Sequence, residues 1–327
     1  MEHETGGQYG ADDDIIDYIL GITYEIWEDG QIDLISRYYS DDCAVDALDG
    51  TSNTGQVVID GTRAMLASFP DRSLLCDNIV VGHWPDGVAY SSHRLTSPMT
   101  HLGDHPFAAA TGKKVVISNI ADCVVEDGRI VREWLVRDQL SLVRQLELPA
   151  DVAARGIKER WTEQHRGWLA SEHGEVRSGI AKVHEESRDS MQLAARAFAG
   201  RWLDACWGGG DDSRNAVFAP YATLYRSPIE RYHGRSHINA HYARWQSLLD
   251  DPKFTLDHCC AQPTGNGGED IAVRWRVAGT LAQDFEGAPA NGQPVLILGV
   301  THLRQHAGRV TAEWTVFDQL AVLAQVI

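Results

Sequence analysis

Asp127-Gly128-Arg129-Ile130-Val131-Arg132-Glu133-Trp134-Leu135-Val136-Arg137-Asp138-Gln139-Leu140 and Ala307-Gly308-Arg309-Val310-Thr311-Ala312-Glu313-Trp314-Thr315-Val316-Phe317-Asp318-Gln319-Leu320 are two copies of one pattern. Each starts in a turn, continues as a strand carrying Glu-Trp and ends in Asp-Gln-Leu. Working outward, Trp27 and Trp207, Arg94 and Arg274, Thr100 and Thr280, and Gly112 and Gly292 also stand 180 positions apart. One offset shared by so many matched residues identifies a tandem duplication, so whatever one unit does is posed twice. Between Trp27 and Arg94 the register slips. Gly61 is read as the match of Gly234, with an insertion over residues 49–56 in the first copy.

Two repeats in 327 residues imply two domains of ordinary size, each able to bury a core. The net charge of −17 argues against nonspecific nucleic-acid or anionic-membrane binding, which require basic surfaces. No apolar run approaches the roughly 20 residues that span a bilayer. The start of the chain lacks the basic and apolar segments of a signal peptide. The six cysteines show no CxxC pairing and do not match between repeats, which reads as buried thiols in a reducing cytoplasm.

Each repeat reads as helices followed by strands. Ile15, Ile16, Tyr18, Ile19, Ile22 and Ile26 form a helical stripe behind an acidic start, and Met191, Leu193, Ala194, Phe198, Trp202, Leu203 and Cys206 form its counterpart. Further helices are expected at 62–69 and 236–249, each following a glycine. Long β-branched stretches separated by Pro85-Asp86-Gly87, Asp127-Gly128, Asn266-Gly267-Gly268 and Ala307-Gly308 predict antiparallel hairpins. The fold class is therefore α+β, with helices packed on one curved sheet per unit. The expected organisation is a flexible N-terminus (1–11), a first unit (12–147), a helical joining segment (148–188) and a second unit (189–327).

In the last strand, alternation puts Arg132, Trp134, Val136 and Asp138 on one face and Glu133, Leu135 and Arg137 on the other. A carboxyl beside a Trp on an apolar face is desolvated, which raises its pKa and suits it to proton transfer. Asp138, and Asp318 in the second copy, are thus catalytic candidates. Either could equally cap the helix that follows, since Asp is a favoured N-cap. His101 could polarise a carbonyl or shuttle a proton, or could be an ordinary loop histidine. His93 reads as a packed or surface histidine. No GxGxxG, P-loop, HExxH or GxSxG pattern is present, so neither a nucleotide cofactor nor a metal is expected.

The second half of each repeat resembles the SnoaL-like polyketide cyclase family, within the nuclear-transport-factor-2 and ketosteroid-isomerase superfamily. The first copy carries the resemblance in Ser68-Phe69-Pro70-Asp71, Arg94, Thr100-His101, Thr111-Gly112-Lys113, Asp127-Gly128-Arg129-Ile130, Glu133-Trp134, Asp138 and Leu140-Ser141-Leu142-Val143-Arg144-Gln145-Leu146. The second carries it in Arg274-Trp275, Gly279-Thr280, Gly292, Glu313-Trp314 and Asp318. It has Leu281 at the His101 position and lacks the Phe-Pro-Asp motif.

The resemblance implies two cone-shaped α+β barrels, each a curved antiparallel sheet around a pocket plugged by helices. It also implies an internal pseudo-dimer through the sheets, with further oligomerisation left open. It implies cofactor-free acid/base chemistry, an intramolecular aldol cyclisation or an isomerisation, on a small apolar carbonyl compound. Asp138 and Asp318 would be the acid/base groups, His101 a helper, and Trp134, Trp314, Trp27 and Trp207 pocket residues. The alternatives are a non-catalytic small-molecule binding protein of the same fold, or a structural role for the second unit.

Overall fold

The computed structural model describes residues 12–84, 87–182 and 189–327. The N-terminus 1–11, the Pro85-Asp86 part of one expected turn, and residues 183–188 of the joining segment lie outside the described residues.

The first unit opens with α1 (Asp12–Thr23), which runs on through a wider turn over Tyr24–Glu28. Of the expected stripe, Ile15, Ile19, Ile22 and Ile26 are buried, each side chain contributing about 1.5–3 kcal/mol, while Ile16 and Tyr18 are partly buried at its edge. Then come α2 (Ile35–Tyr38), β1 (Tyr39–Ala47), β2 (Gly50–Ser52), α3 (Gly55–Ser68), β3 (Leu75–His83), β4 (Ala89–Thr100), β5 (Lys114–Glu126), β6 (Arg129–Arg137) and α4 (Gln139–Gln145). The sheet order is β2-β1-β6-β5-β4-β3. Its pairs are antiparallel except β1 with β6, which are parallel, and the sheet is open and curved rather than a closed barrel. Asp127 and Gly128, both at positive φ, close the β5–β6 hairpin in the two-residue turn that matches strand twist.

The joining segment forms α5 (Ala150–Glu159) and α6 (Glu163–Arg177). The second unit repeats the first as α7 (Ser190–Trp207), α8 (Asp211–Val217), β7 (Phe218–Ser227), β8 (Glu230–His233), α9 (Arg235–Leu248), β9 (Leu249–Pro263), β10 (Glu269–Leu281), β11 (Pro294–His306), β12 (Arg309–Phe317) and α10 (Gln319–Val326). Its sheet order, β8-β7-β12-β11-β10-β9, is that of the first unit. Two α+β units in tandem are therefore present. Among the described residues, no helix is long and apolar enough to cross a membrane.

The expected match of Gly61 with Gly234 is corrected by the helices. α3 begins at Gly55 and α9 at Arg235, so the offset of 180 runs through both, and Thr54 is the counterpart of Gly234. Gly234 needs its glycine because its φ is +79°, whereas Thr54 sits at −144° and does not. The residues read as an insertion form the β1–β2 hairpin, which β7–β8 reproduces.

The two sheets pack face to face through residues repeated at the same offset. The guanidinium carbon of Arg274 lies 3.3 Å from the ring centre of Trp134, and that of Arg94 lies 4.3 Å from Trp314. Each unit's arginine thus stacks on the other unit's tryptophan. Arg274 also reaches Asp122 at 3.5 Å and donates to the Tyr90 hydroxyl at 3.1 Å, all three fully buried. Ser92 Oγ meets His302 Nε2 at 2.8 Å, and Gln262 donates to the Ile79 carbonyl at 2.9 Å.

Candidate functional site

Side chains alternate across each strand, so the face turned away from the opposing sheet is the one the helices cover. In the first unit that face carries His93 and Leu95 on β4, Asn119, Ala121 and Cys123 on β5, and Glu133, Leu135 and Arg137 on β6. Together with Trp27, Tyr39 and α3 they enclose a cavity of about 330 Å³.

Apolar surface dominates this lining, with a few polar groups set into it, the usual character of a small-molecule site. The Glu133 carboxyl is buried, and desolvation raises its pKa. It accepts a hydrogen bond from the Tyr39 hydroxyl, whose own pKa is pushed well up by burial and by the charge of Glu133. Arg137 Nη2 donates to both oxygens of Asp49, at 2.9 and 3.1 Å, and Asp49 raises the arginine's pKa. Burial pushes the Asp49 carboxyl up, but Arg137 and the 2.8 Å bond from Gln139 outweigh it and hold the group ionised. Burial drops His93 to about 4, so its imidazole is neutral at physiological pH.

In the second unit the equivalent space is filled. Trp275 replaces Leu95, and Gly299 replaces Asn119 beneath it. A Cβ at Gly299 would stand 2.2 Å from the Trp275 ring, so only glycine leaves room for the indole. Trp207 and Phe317 pack on that ring at 5.4 and 5.9 Å between centroids. Glu313, the counterpart of Glu133, has its oxygens taken up by Trp202 Nε1 at 3.1 Å and by the hydroxyls of Tyr242 and Thr315. The first unit has Ile22, Thr62 and Leu135 at those three positions. Its carboxyl keeps its place and loses that set of donors, facing open space instead.

The residues singled out from sequence are mostly elsewhere. Strand alternation is as read, but the cavity lies on the Glu133 face, so the expected Trp134–Asp138 pocket face is corrected. The Trp134 face is covered by the second sheet. Both faces of the sheet are buried, and alternation alone does not say which one meets helices. Trp134 and Trp314 sit between the sheets, Trp207 is buried in the filled core, and Trp27 lines the cavity.

Asp138 caps α4, its Oδ1 accepting the Ser141 N–H at 3.4 Å. Its Oδ2 is buried and without a partner among the described residues, and desolvation raises the group to about 6. Asp318 caps α10, accepting the N–H groups of Leu320 and Ala321 at 3.0 Å each. It is pushed up to about 8 by burial and then by the charge of Asp49. Gln139 Nε2 bridges Asp318 to Asp49 at 2.6 and 2.8 Å, so Asp318 is one side chain removed from the cavity wall.

His101 is fully buried against Phe69, with ring centroids 5.1 Å apart, and is not among the lining residues. A second cavity of about 170 Å³ at the junction is lined by Arg144, Glu230, Tyr232, His241, Arg244 and Gln319.

Glu133, Tyr39, Asp49, Arg72, His93, Asn119 and Arg137 are among the polar cavity residues not selected from sequence. Comparing the copies position by position would have exposed several of them. His93, Asn119 and Arg137 stand where the filled unit has Val273, Gly299 and Phe317.

The family model for SnoaL-like polyketide cyclases matches residues 18–146 and again residues 197–326. The chain belongs to the SnoaL-like polyketide cyclase family. Solved structures similar to one unit of this SnoaL-like chain include IdmH from Streptomyces antibioticus. It is 21% identical over 40% of this chain and 96% of its own, with a TM-score of 0.35. TsrD from Streptomyces laurentii is 19% identical over 43% and 98%, also with a TM-score of 0.35. A ketosteroid-isomerase-like protein from Catenulispora acidiphila, solved with trimethylamine, is 21% identical over 39% and 91%, with a TM-score of 0.32. No curated protein matches this SnoaL-like chain.

Proposed function

We propose that the first unit performs cofactor-free acid/base chemistry on a small apolar carbonyl compound, and that the second unit is structural. The observation that carries this reading is the Glu133 carboxyl, desolvated on the wall of an open apolar cavity. A carboxylate in that setting is a stronger base than one in water. In the proposed reaction Glu133 takes a proton from the carbon next to the substrate carbonyl, leaving an enolate. Returning the proton to a different carbon gives an isomerisation. Attack of the enolate carbon on a second carbonyl of the same molecule closes a ring, and Glu133-H then protonates the new alkoxide. The neutral His93 imidazole serves as hydrogen-bond donor to carbonyl oxygen.

In this reading Asp138 and Asp318 are capping and junction residues, and His101 braces the loop after β4. The units act as a pseudo-dimer within one chain, supported by the reciprocal Arg–Trp stacking between the sheets. A cytoplasmic location is part of the proposal, supported by cysteines that remain thiols.

Glu313 favours a second reading. The same carboxyl is wholly structural there, which fits a non-catalytic binding protein in which Glu133 only orients a ligand.

The experiment that separates the two follows α-proton exchange of 2-tetralone in deuterated water by NMR. Accelerated exchange with wild-type protein that Glu133→Gln abolishes supports the enzyme. Saturable binding without exchange supports the binding protein, and exchange that survives Glu133→Gln rejects Glu133 as the base.

A further inference from the structure

We infer that the compound bound in the first unit carries a single carboxylate beside its apolar body, and that Arg72 receives it; this rests on reading that cavity as the ligand site. Two guanidinium groups line the cavity, Arg72 and Arg137. Arg137 has its counter-ion in Asp49, at 2.9 Å. Arg72 has no carboxylate within 4 Å among the described residues. The nearest acidic influence on it, Glu28, acts at longer range, and Glu28 Oε1 is already taken by the Leu74 N–H at 2.6 Å.

A cation without a counter-ion, in a largely apolar enclosure and facing a second cation, is in an unfavourable place. Burial and the charge of Arg137 together lower its pKa to about 10, so it remains charged at neutral pH. An arriving anion would relieve both effects. The backbone is already set for this, because the Arg72 N–H bonds the Phe69 carbonyl at 3.1 Å in the turn between α3 and β3.

Comparison between the units shows that the fold does not require these groups. The second unit has Pro252 at the Arg72 position, Phe317 at the Arg137 position and Ile229 at the Asp49 position, and there the indole of Trp275 fills the space. Arg72, Arg137 and Asp49 therefore accompany the open cavity and have no charged counterpart where it is filled. The balance of charge also selects the ligand. Arg137 is already paired with Asp49, so the cavity offers one uncompensated cation; a single carboxylate matches it, whereas a phosphate dianion would leave excess negative charge beside Asp49 and Glu133. A planar carboxylate also matches the guanidinium fork.

The test compares 2-naphthoate with 2-acetonaphthone, which share a ring system and differ in charge, by calorimetric titration of the full chain. Wild-type protein is expected to prefer the carboxylate by about tenfold or more, the usual gain from a charge-assisted bond. Arg72→Met should erase that preference by lowering 2-naphthoate affinity, and the circular dichroism spectrum of the variant reports whether it is folded. Should Arg72→Met fail to fold, Arg72→Gln serves the same comparison. Equal affinities in the wild type, or a preference that survives loss of the guanidinium, would overturn the inference while leaving the cavity as a ligand site. Failure of both compounds to bind would remove the cavity reading itself, and the inference with it.

Discussion

The indole of Trp275 rests on Gly299 so closely that a Cβ there would lie 2.2 Å from the ring. The matching pair in the first unit, Leu95 and Asn119, lines open space instead. Two substitutions between copies of one ancestral unit thus account for much of the difference between a filled core and a binding cavity. Gly299→Ala forces the indole to move within a packed core, and is expected to cost about 1–3 kcal/mol of stability. Denaturant unfolding measures this, and an unchanged midpoint would show that the ring is not held against Gly299.

Arg274 is buried between Trp134 and Asp122, whereas its counterpart Arg94 pairs at 3.4 Å with Asp77, which is 32% exposed. Removing the first cation strands a carboxylate in a dry interface; removing the second leaves one that water can reach. Arg274→Met is therefore expected to destabilise the protein by about 3–5 kcal/mol, and Arg94→Met by distinctly less. Adding Asp122→Asn to Arg274→Met should recover part of the loss, because the stranded charge is then gone. Equal costs at the two arginines would refute this account of the interface.

The duplication and the fold class were legible because they depend on residues at one offset and on hydrophobic periodicity, both local properties of the chain. The orientation of each sheet was not. Trp134 and Glu133 are adjacent and both buried, and only the docking of the second sheet decides that Trp134 meets Arg274 while Glu133 meets the cavity. Asp138 shows the same limit, since its sequence signal fits both a cap, the more common use, and a catalyst, and the structure shows it capping α4. Gly61 and Gly234 look alike in sequence, but only Gly234 has a backbone that demands a glycine, and that is a property of the folded turn.

The pH dependence of stability should carry the signature of Asp138. Desolvation raises its pKa from 3.8 to about 6 in the folded protein, so the folded state holds the proton more tightly than the unfolded chain. The associated stability is fully present below pH 3.8 and is lost as pH rises through about 6, a difference on the order of 3 kcal/mol. Asp138→Asn keeps an oxygen to cap α4 and removes the titration. The variant should gain stability relative to wild type as pH rises from 4 to 7, with the gap closing again in acid. Urea midpoints across that range provide the measurement, and parallel curves for the two proteins would exclude the buried carboxyl as their source.

The sharpest contrast is between Glu133 and Glu313, one carboxyl placed twice in two surroundings. Glu313 satisfies three buried donors, from Trp202, Tyr242 and Thr315; Glu313→Leu removes that acceptor and strands Trp202 and Tyr242, while Thr315 keeps the Thr301 hydroxyl at 2.9 Å. At about 1–3 kcal/mol per stranded group, the variant should lose at least about 2 kcal/mol. Ligand binding in the other unit should persist wherever the protein remains folded. Glu133→Leu strands only the Tyr39 hydroxyl and places an apolar side chain on an apolar cavity wall, so its stability should fall by less than about 1.5 kcal/mol. Proton exchange of a bound ketone should nevertheless disappear, because the base is gone. Unfolding midpoints and exchange rates measured on both variants read this double dissociation directly. If the two carboxyls prove equally important for stability and neither affects exchange, the first cavity is a packing feature and not a site of proton transfer.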